Sequence, residues 1–352
     1  MIEIDGSIGE GGGQVLRTSL SLAAILVKPV RVYNIRSNRP NPGLRPQHIY
    51  SIKVLADFTE ADVTGLTEGS SEIIFKPKRK RIGVTALDIG TAGSISLLIQ
   101  AITPYCVSMD KPVRIKFIGG TNVRWSPPID YLQYVTAPIL RKMGVAVDIK
   151  LIKRGFYPRG GGIVEASFQP CHSIKPLLID KQQHVLDIKG ISYAGKLPSH
   201  VIKRQAESAL KRIKNTDTHL EKTPIEVFEE PPAASESPGS GILLYAHLDE
   251  GGIIGADELG EKGLAAEKVG EHAADNLSAQ LKTKAGIDKN MGDMLITYLG
   301  LADGRSRIYV SQLTLHTLTN IKVFETMMNV KFKISGNLNK PSYIEVDGVP
   351  LH

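Results

Sequence analysis

The pattern of apolar and polar positions gives the first half of the chain two segments of the same plan. In residues 1–78 a short apolar strand and a glycine-rich turn lead into a helix-patterned run from Val15 to Leu26. A β-branched stretch, a polar loop, a second helix from Gln47 to Phe58 and two further strands follow. Residues 84–169 repeat this order of elements. A period of roughly 80 residues therefore defines the unit of folding.

A third, less regular copy is predicted at about 284–352, with a helix from Gly292 to Leu301 and three strands after it. Residues 184–283 do not follow the plan, because they combine strands, a basic amphipathic helix, a Pro/Ser/Gly-rich loop and a second helix. Each copy has the pattern of two helices on one face of a four-stranded sheet, which predicts the α+β class. We expect 1–183 and 284–352 to form a domain of three repeats, and 184–283 to be an inserted small α/β domain.

Composition and charge narrow the class of protein. The 352 residues are 42% hydrophobic and 22% charged, which is ordinary for a soluble chain with a substantial core. The net charge of +7 favours an anionic partner such as nucleic acid. Two cysteines far apart, Cys106 and Cys171, argue against a disulfide framework or a cysteine zinc site. No apolar run is long enough to span a bilayer and no targeting segment is evident, so a cytoplasmic location without membrane contact is predicted.

The glycine-rich turn from Gly9 to Gln14 opens a helix, where free backbone N–H groups and the helix dipole favour an anion. It is not a P-loop, because no Gly-Lys-Ser/Thr follows, and Gln14 stands where a dinucleotide fingerprint needs glycine. A carboxylate beside a phosphate repels it unless a divalent cation lies between them, which makes Glu10 a candidate Mg²⁺ or Mn²⁺ ligand. A structural turn and a plain surface acid remain the alternatives.

Polar side chains that suit nucleotide or phosphate recognition follow in both copies. Guanidinium groups can grip two phosphate oxygens each, whereas the alternative is a solvated basic face. Gln100, at the predicted end of the second copy's first helix, could read a base edge or could be an ordinary exposed helix residue. The cluster on the first copy consists of Arg17, Arg36, Arg39, Arg45, Gln47 and His48.

A single imidazole, His316, lies in the apolar and hydroxyl-rich run from Ser311 to Asn320. A neutral imidazole is a competent nucleophile toward phosphorus near neutral pH, since its pKa is about 6.5. A hydrogen-bonded core or capping histidine is the alternative that this stretch alone leaves open.

The stretch from Arg154 to Val164 is the most specific in the chain, and its glycines predict a hairpin or bulge. It reads Arg, Gly, two residues, Pro, one residue and three glycines, which resembles the signature of the RNA 3′-terminal phosphate cyclase family. The resemblance spans essentially the whole chain. It extends to residues 9–17, 36–48, 90–100, 127–128 and 316–320.

The resemblance implies three tandem units of the fold of the C-terminal domain of bacterial translation initiation factor three, plus a smaller inserted domain. It also implies a reaction in which an RNA 3′-phosphate becomes a 2′,3′-cyclic phosphate. The reaction consumes ATP and requires a divalent metal, Mg²⁺ or Mn²⁺. It passes through a covalent histidinyl-AMP. The partners are then ATP and RNA with a 3′-phosphate end, and a homo-oligomer is possible.

Carried over residue by residue, the resemblance gives His316 as the nucleophile and Glu10 as the metal ligand. Asn290 stands where some relatives place an aromatic beside the adenine. The runner-up is a non-catalytic relative that binds RNA in ribosomal RNA maturation, but such relatives lack the histidine. The nucleotide would be surrounded by Gln14, Gln100, Pro127 and Asp293, and phosphates would face Arg17, Arg36, Arg39 and Gln47.

Overall fold

The structure is a computed structural model that describes residues 1–182, 184–216, 220 and 223–350. Residue 183 at the predicted domain boundary and the C-terminal residues 351–352 lie outside the described part. These described residues form four four-stranded sheets with helices packed on them, which confirms the α+β class. Within the described ranges, no helix is both long and apolar enough to cross a membrane.

The first two sheets have the same strand order and the same directions. Their orders are β1-β2-β4-β3 and β5-β6-β8-β7, each with one parallel pair followed by two antiparallel pairs. The first unit comprises β1 (Ile2–Asp5), α1 (Gly13–Leu26), β2 (Val30–Tyr33), α2 (Pro46–Thr59), β3 (Asp62–Thr64) and β4 (Ile73–Lys76). The second comprises β5 (Ala86–Asp88), α3 (Ile95–Val107), β6 (Val113–Gly119), α4 (Ile129–Tyr131), a π-helical stretch (Leu132–Thr136), α5 (Ala137–Lys142), β7 (Val147–Lys153) and β8 (Gly162–Phe168).

The third sheet has the same strand order and the same strand directions as the first two. Its first strand, however, lies outside the range 284–352 in which the sequence predicted the third copy. That strand, β9, lies before residue 184, and it pairs in parallel with β14. The predicted helix from Gly292 to Leu301 is two short helices rather than one. The elements are β9 (Leu178–Ile179), α8 (Met291–Met294), α9 (Ile296–Gly300), β14 (Arg305–Val310), α10 (Leu315–Met328), β15 (Phe332–Ser335) and β16 (Ser342–Asp347).

The fourth sheet, with order β11-β10-β12-β13, has two strands that the sequence pattern did not predict, β11 and β13. One face of this sheet packs with two helices around its own apolar cluster, which includes Leu244 and Leu277. The other face, through Leu243 and Tyr245, joins the core shared by the first three units. The elements are β10 (Val185–Gly195), α6 (Ser199–Thr216), β11 (Ile225–Glu229), β12 (Gly239–Leu248), β13 (Ile253–Leu259) and α7 (Ala266–Leu281).

Helix α1 lies at the centre, in contact with α2, α3 and α10. Its buried positions run almost continuously from Gln14 to Ile25, as expected for a helix surrounded by other helices. The turn before it approaches α10 so closely that a Cβ on Gly9 would overlap the Thr319 hydroxyl, and Gly9 has a φ of +61°. Both the space and the backbone conformation therefore require glycine there. This contact brings the N-termini of α1 and α10 together.

Helix α3 is longer than the sequence pattern predicts. It continues through Pro104 to Val107, so Gln100 lies in its interior rather than at its end. Proline has no N–H to donate, which deprives the Gln100 carbonyl of its helical hydrogen bond one turn earlier. The helix nevertheless continues past this proline, and its C-terminal part from Ala101 to Val107 is buried on all sides.

Candidate active site

His316 is the second residue of α10, and the local sequence fixes this helix terminus. The Thr314 hydroxyl caps the helix by accepting a hydrogen bond of 3.1 Å from the Thr317 N–H. From α1, the Gln14 side chain donates from Nε2 to the carbonyl oxygen of His316 over 2.7 Å. The imidazole is therefore held by a rigid turn, while its ring stays half exposed at the surface.

The His316 ring faces the predicted metal ligand. Its Nε2 lies 3.0 Å from Oε2 of Glu10, and the same oxygen accepts a 3.1 Å hydrogen bond from the Arg39 guanidinium. Burial lowers the pKa of His316; Glu10 opposes this shift, whereas the positive charges of Arg17 and Arg39 add to it. The imidazole is thus neutral near pH 7, which is the nucleophilic form.

A cavity of about 80 Å³ lies at the junction of the first three units, and α1, α3 and α10 each line it. Among its lining residues are Gln14, Gln100 and Asp293. Gln14 Oε1 and Gln100 Nε2 are buried and have no hydrogen-bond partner within the described parts of the chain. Buried polar atoms are normally paired, so one acceptor and one donor in this cavity are free for a ligand.

Arg17 and Asp293 line the same cavity and influence each other's ionisation. Burial raises the pKa of Asp293 to about 7, Asp288 contributes in the same direction, and Arg17 opposes the rise. Burial also lowers the pKa of Arg17 to about 10, against the attraction of Asp293. Asn320 donates to the Asp293 carbonyl over 3.2 Å and accepts from the Thr18 hydroxyl over 2.8 Å, which ties α8 to α10 and α1.

The predicted arginine cluster divides in the structure. Arg39 reaches Glu10, whereas Arg36 donates to carbonyl oxygens of its own loop, those of Asn41 at 2.6 Å and Gly43 at 3.1 Å. Arg45 pairs instead with Glu68. The side-chain Nε2 of Gln47 is buried without a partner among the described residues, so this amide can still donate to a ligand.

His48 is a site residue to which the sequence gave no separate role. Its Nδ1 accepts a 3.1 Å hydrogen bond from the Arg45 N–H, and its ring packs against Gly13, where a Cβ would collide with it. Burial lowers its pKa to about 3, and Arg17, Arg36 and Arg45 contribute. His48 is therefore a neutral spacer between the arginines and the glycine-rich turn.

Neither Pro127, which the resemblance assigns to the nucleotide, nor Asn290, which stands where some relatives have an aromatic, lines the cavity. Pro127 is not among the lining residues, but its carbonyl accepts a 2.6 Å hydrogen bond from the Ser96 hydroxyl on α3. Asn290 precedes α8 and donates its N–H to Asp288 over 2.8 Å. An amide side chain thus stands at position 290, where it offers no aromatic ring for stacking.

The family model for RNA 3′-terminal phosphate cyclase matches residues 8–334 of the chain. The chain belongs to the RNA 3′-terminal phosphate cyclase family. A Desulfurococcus amylolyticus protein of that name is 47% identical over 353 residues, covering 99% of this chain and 98% of its own. Cyclases of Staphylothermus marinus and Pyrococcus furiosus are 47% and 44% identical, with at least 98% of each chain covered. The predicted resemblance is confirmed, and the names favour an enzyme over the non-catalytic alternative.

The signature stretch of the cyclase family has a structural role here that the sequence did not reveal. Arg154 is 1% exposed and forms paired hydrogen bonds of 2.8 and 2.9 Å to Asp130. It also bonds Glu230 at 2.8 Å and lies 3.8 Å from the centre of the Tyr193 ring. The stretch therefore joins the second sheet to the fourth.

A divalent cation fits the site only as a partner of the nucleotide. Among the residues that the structure describes, no three His, Cys, Asp or Glu side chains come together as a metal site. Mg²⁺ commonly binds one or two carboxylates and completes its shell with substrate phosphates and water. Glu10, beside the glycine-rich turn and the His316 ring, meets that requirement with one carboxylate.

Proposed function

We propose that this protein is an ATP-dependent RNA 3′-terminal phosphate cyclase, which converts an RNA 3′-phosphate to a 2′,3′-cyclic phosphate through a histidinyl-AMP. The observation that carries the proposal is the position of His316: a neutral, helix-anchored imidazole 3.0 Å from Glu10. Its neighbours are the polar cavity and the glycine-rich turn. Membership of the cyclase family supports the same reaction.

In the first step, an imidazole nitrogen of His316 attacks the α-phosphorus of ATP. A P–N bond forms, the bond to the bridging oxygen breaks, and pyrophosphate leaves. The carboxylate of Glu10 can only accept, so the Nε2 that faces it carries the hydrogen in this arrangement. Attack through Nε2 therefore requires the contact with Glu10 to be given up, and the hydrogen to lie on Nδ1.

The nucleotide would occupy the cavity side of His316. Gln14 Oε1 and Gln100 Nε2 supply a free acceptor and a free donor, and Asp293, with a pKa of about 7, can act as either. Pro127 would border the same ligand from the loop held by Ser96. Such a set suits the edge of a nucleobase and a ribose hydroxyl, because each polar atom otherwise stays unpaired in the protein.

Glu10 would hold the divalent cation, Mg²⁺ or Mn²⁺. When bound, the metal would supply positive charge for the phosphoryl oxygens. The protein's own cations contribute to the same need: Arg39 lies on Glu10 and Arg17 lies in the cavity wall. Arg36 and Gln47 would complete the phosphate-binding set from the neighbouring loop and α2.

In the second step, an oxygen of the RNA 3′-phosphate attacks the adenylyl phosphorus, the P–N bond breaks, and His316 is regenerated. In the third, the 2′-oxygen attacks the activated 3′-phosphorus, the ring closes, and AMP leaves while the 2′-hydroxyl proton is released. Activation is needed because a phosphate monoester has no good leaving group. Fixed guanidinium groups stabilise the charge that develops in both steps.

We also infer that the first three units are copies of the initiation factor three C-terminal-domain fold and that 184–283 is an inserted domain. Identical strand orders in three sheets and a separate apolar cluster in the fourth support this division. A soluble, cooperatively unfolding fragment of 184–283 is the expected result of expressing it alone. A homo-oligomer and a cytoplasmic location remain predictions.

The reaction is tested with an oligoribonucleotide that carries a 3′-phosphate, ATP and Mg²⁺ or Mn²⁺. The expected product resists phosphatase and regains a phosphatase-sensitive end after acid opening of the ring. Binding of the RNA without ATP-dependent cyclisation would instead support the non-catalytic alternative.

A further inference from the structure

The tryptophan at position 125 combines two unfavourable features. It is the single Trp of the chain, and its side chain is 93% exposed. Its backbone φ is +60°, in the left-handed region that bulky residues rarely adopt. Burial of an aromatic ring stabilises a fold, and a left-handed backbone costs energy, so neither feature serves folding. Their coincidence at one residue indicates a ring that is held out for a ligand.

The loop that carries this ring is anchored on both sides. Before it, the buried Asn122 accepts a 3.3 Å hydrogen bond from Arg154. Within it, the Ser126 hydroxyl donates to the Val123 carbonyl over 2.9 Å. After it, the Pro127 carbonyl accepts the hydrogen bond from α3. The indole is therefore presented by a fixed loop.

This loop is tied to α3, one of the helices that line the cavity proposed for the nucleotide. Ser96, which holds Pro127, lies one helical turn before Gln100 on α3, and the free Nε2 of Gln100 belongs to the cavity. The groove beside Trp125 is lined by the acidic residues Asp257, Glu258 and Glu261. It is also lined by Arg124, which pairs with Glu261, so the carboxylates outnumber the cation. Carboxylates repel a phosphate backbone, so a nucleic-acid ligand would approach this ring with its base rather than its phosphates.

We propose that Trp125 stacks on a nucleobase at the groove beside its ring, either the adenine of ATP or a base next to the 3′ end of the RNA. This inference rests on the cyclase reaction proposed above. Stacking on an aromatic ring is sequence-tolerant, because every base has a π-face. Trp125 would thus add affinity without reading the RNA sequence.

Because Trp125 is the only tryptophan, its intrinsic fluorescence reports on the ring directly. Four titrations distinguish the adenine of ATP from a base of the RNA. The ligands are ATP with Mg²⁺, tripolyphosphate with Mg²⁺, a 3′-phosphorylated oligoribonucleotide, and the same oligomer with abasic residues at its last two positions. Quenching by ATP but not by tripolyphosphate assigns the adenine. Quenching by the RNA but not by its abasic form assigns an RNA base. No quenching by ATP or RNA, or equal quenching by a ligand and its base-free control, overturns the proposal.

Kinetics with variants provide the second readout. Trp125→Ala should raise KM about tenfold for the ligand that quenches, with kcat little changed, and Trp125→Phe should recover most of the loss. Phe228→Ala removes an aromatic ring exposed elsewhere and should leave both KM values as in the parent. Unchanged KM values for ATP and RNA in Trp125→Ala would overturn the stacking role. A parent protein that forms no AMP adduct at all would instead refute the proposed reaction.

Discussion

The Nε2 of His316 lies 3.0 Å from Oε2 of Glu10, although the two residues belong to opposite ends of the chain. The same carboxylate oxygen also bonds Arg39. A carboxylate between an imidazole and a guanidinium orients the ring and occupies the nitrogen that faces it. We therefore propose that Glu10 controls when the imidazole is free to react, in addition to its proposed role as a metal ligand.

Replacement of Glu10 tests this double role. Glu10→Ala should slow adenylylation of the protein by about 10–100-fold, because an oriented ligand is lost. Excess Mg²⁺ or Mn²⁺ should restore part of the rate, since the phosphates and water can still coordinate the cation. The rate is measured as single-turnover AMP incorporation over a range of metal concentrations. Glu3→Ala, an exposed acid of β1, is the control; a parental rate in Glu10→Ala would contradict the account.

Arg39 and Arg36 are expected to act mainly after adenylylation. Arg39→Ala should weaken cyclisation of a 3′-phosphorylated RNA by about 1.5–3 kcal/mol, typical of a hydrogen bond to a charged group. Arg36→Ala should also weaken cyclisation, because its contacts with Asn41 and Gly43 order the loop. Cyclisation and AMP incorporation are measured separately on each variant. Equal losses in both would place these side chains on ATP instead.

The pH dependence of adenylylation follows from the shifted pKa of His316. Burial lowers this pKa below 6.5, so the neutral nucleophile persists to lower pH than a free imidazole would allow. The rate of AMP incorporation should stay level as the pH falls through 6.5 and should drop only at the lowered pKa. Arg39→Ala removes a nearby positive charge and should move that drop to higher pH. A half-maximal rate above pH 6.5 in the parent protein would be inconsistent with a lowered pKa.

The buried ion pairs of Arg154 should contribute most of the stability of the contact between the second and fourth sheets. Arg154→Ala leaves the buried Asp130 without its partner and Glu230 with one fewer, which should cost about 3–5 kcal/mol of unfolding free energy. Arg159→Ala, an exposed position of the same stretch, should change it by less than about 0.5 kcal/mol. Urea denaturation measures both. Similar unfolding free energies of the two variants would show that the buried ion pair does not stabilise the contact between the two sheets.

The sequence predicted the fold where apolar periodicity was long and uninterrupted. Helix α1 and the two regular units are examples, whereas β9 was missed because it has two residues and is separated from the rest of its sheet by more than a hundred positions. Strand β11 lies at a sheet edge, and its inward residues Ile225 and Val227 are only partly buried, so its apolar pattern is weak. Apolar periodicity reflects which positions are buried, and short or edge strands bury few side chains.

The site was predictable only in part. The resemblance named His316 and Glu10, but nothing in the spacing of residues indicated that their side chains touch, because that contact depends on how α1 packs against α10. Arg154 is the opposite case: its position in the signature was evident, yet its burial was not. A charged residue is buried when partners surround it, and its partners Asp130 and Glu230 are distant in sequence.

The central claim is that His316 carries the adenylyl group. The direct measurement is incubation of the parent protein, His316→Ala and His316→Asn with α-labelled ATP and metal, followed by denaturation and counting of label on the protein. The account predicts label on the parent alone, lost in acid and stable in alkali as a phosphoramidate must be, with cyclisation abolished in both variants. Full adduct formation in His316→Ala would contradict it.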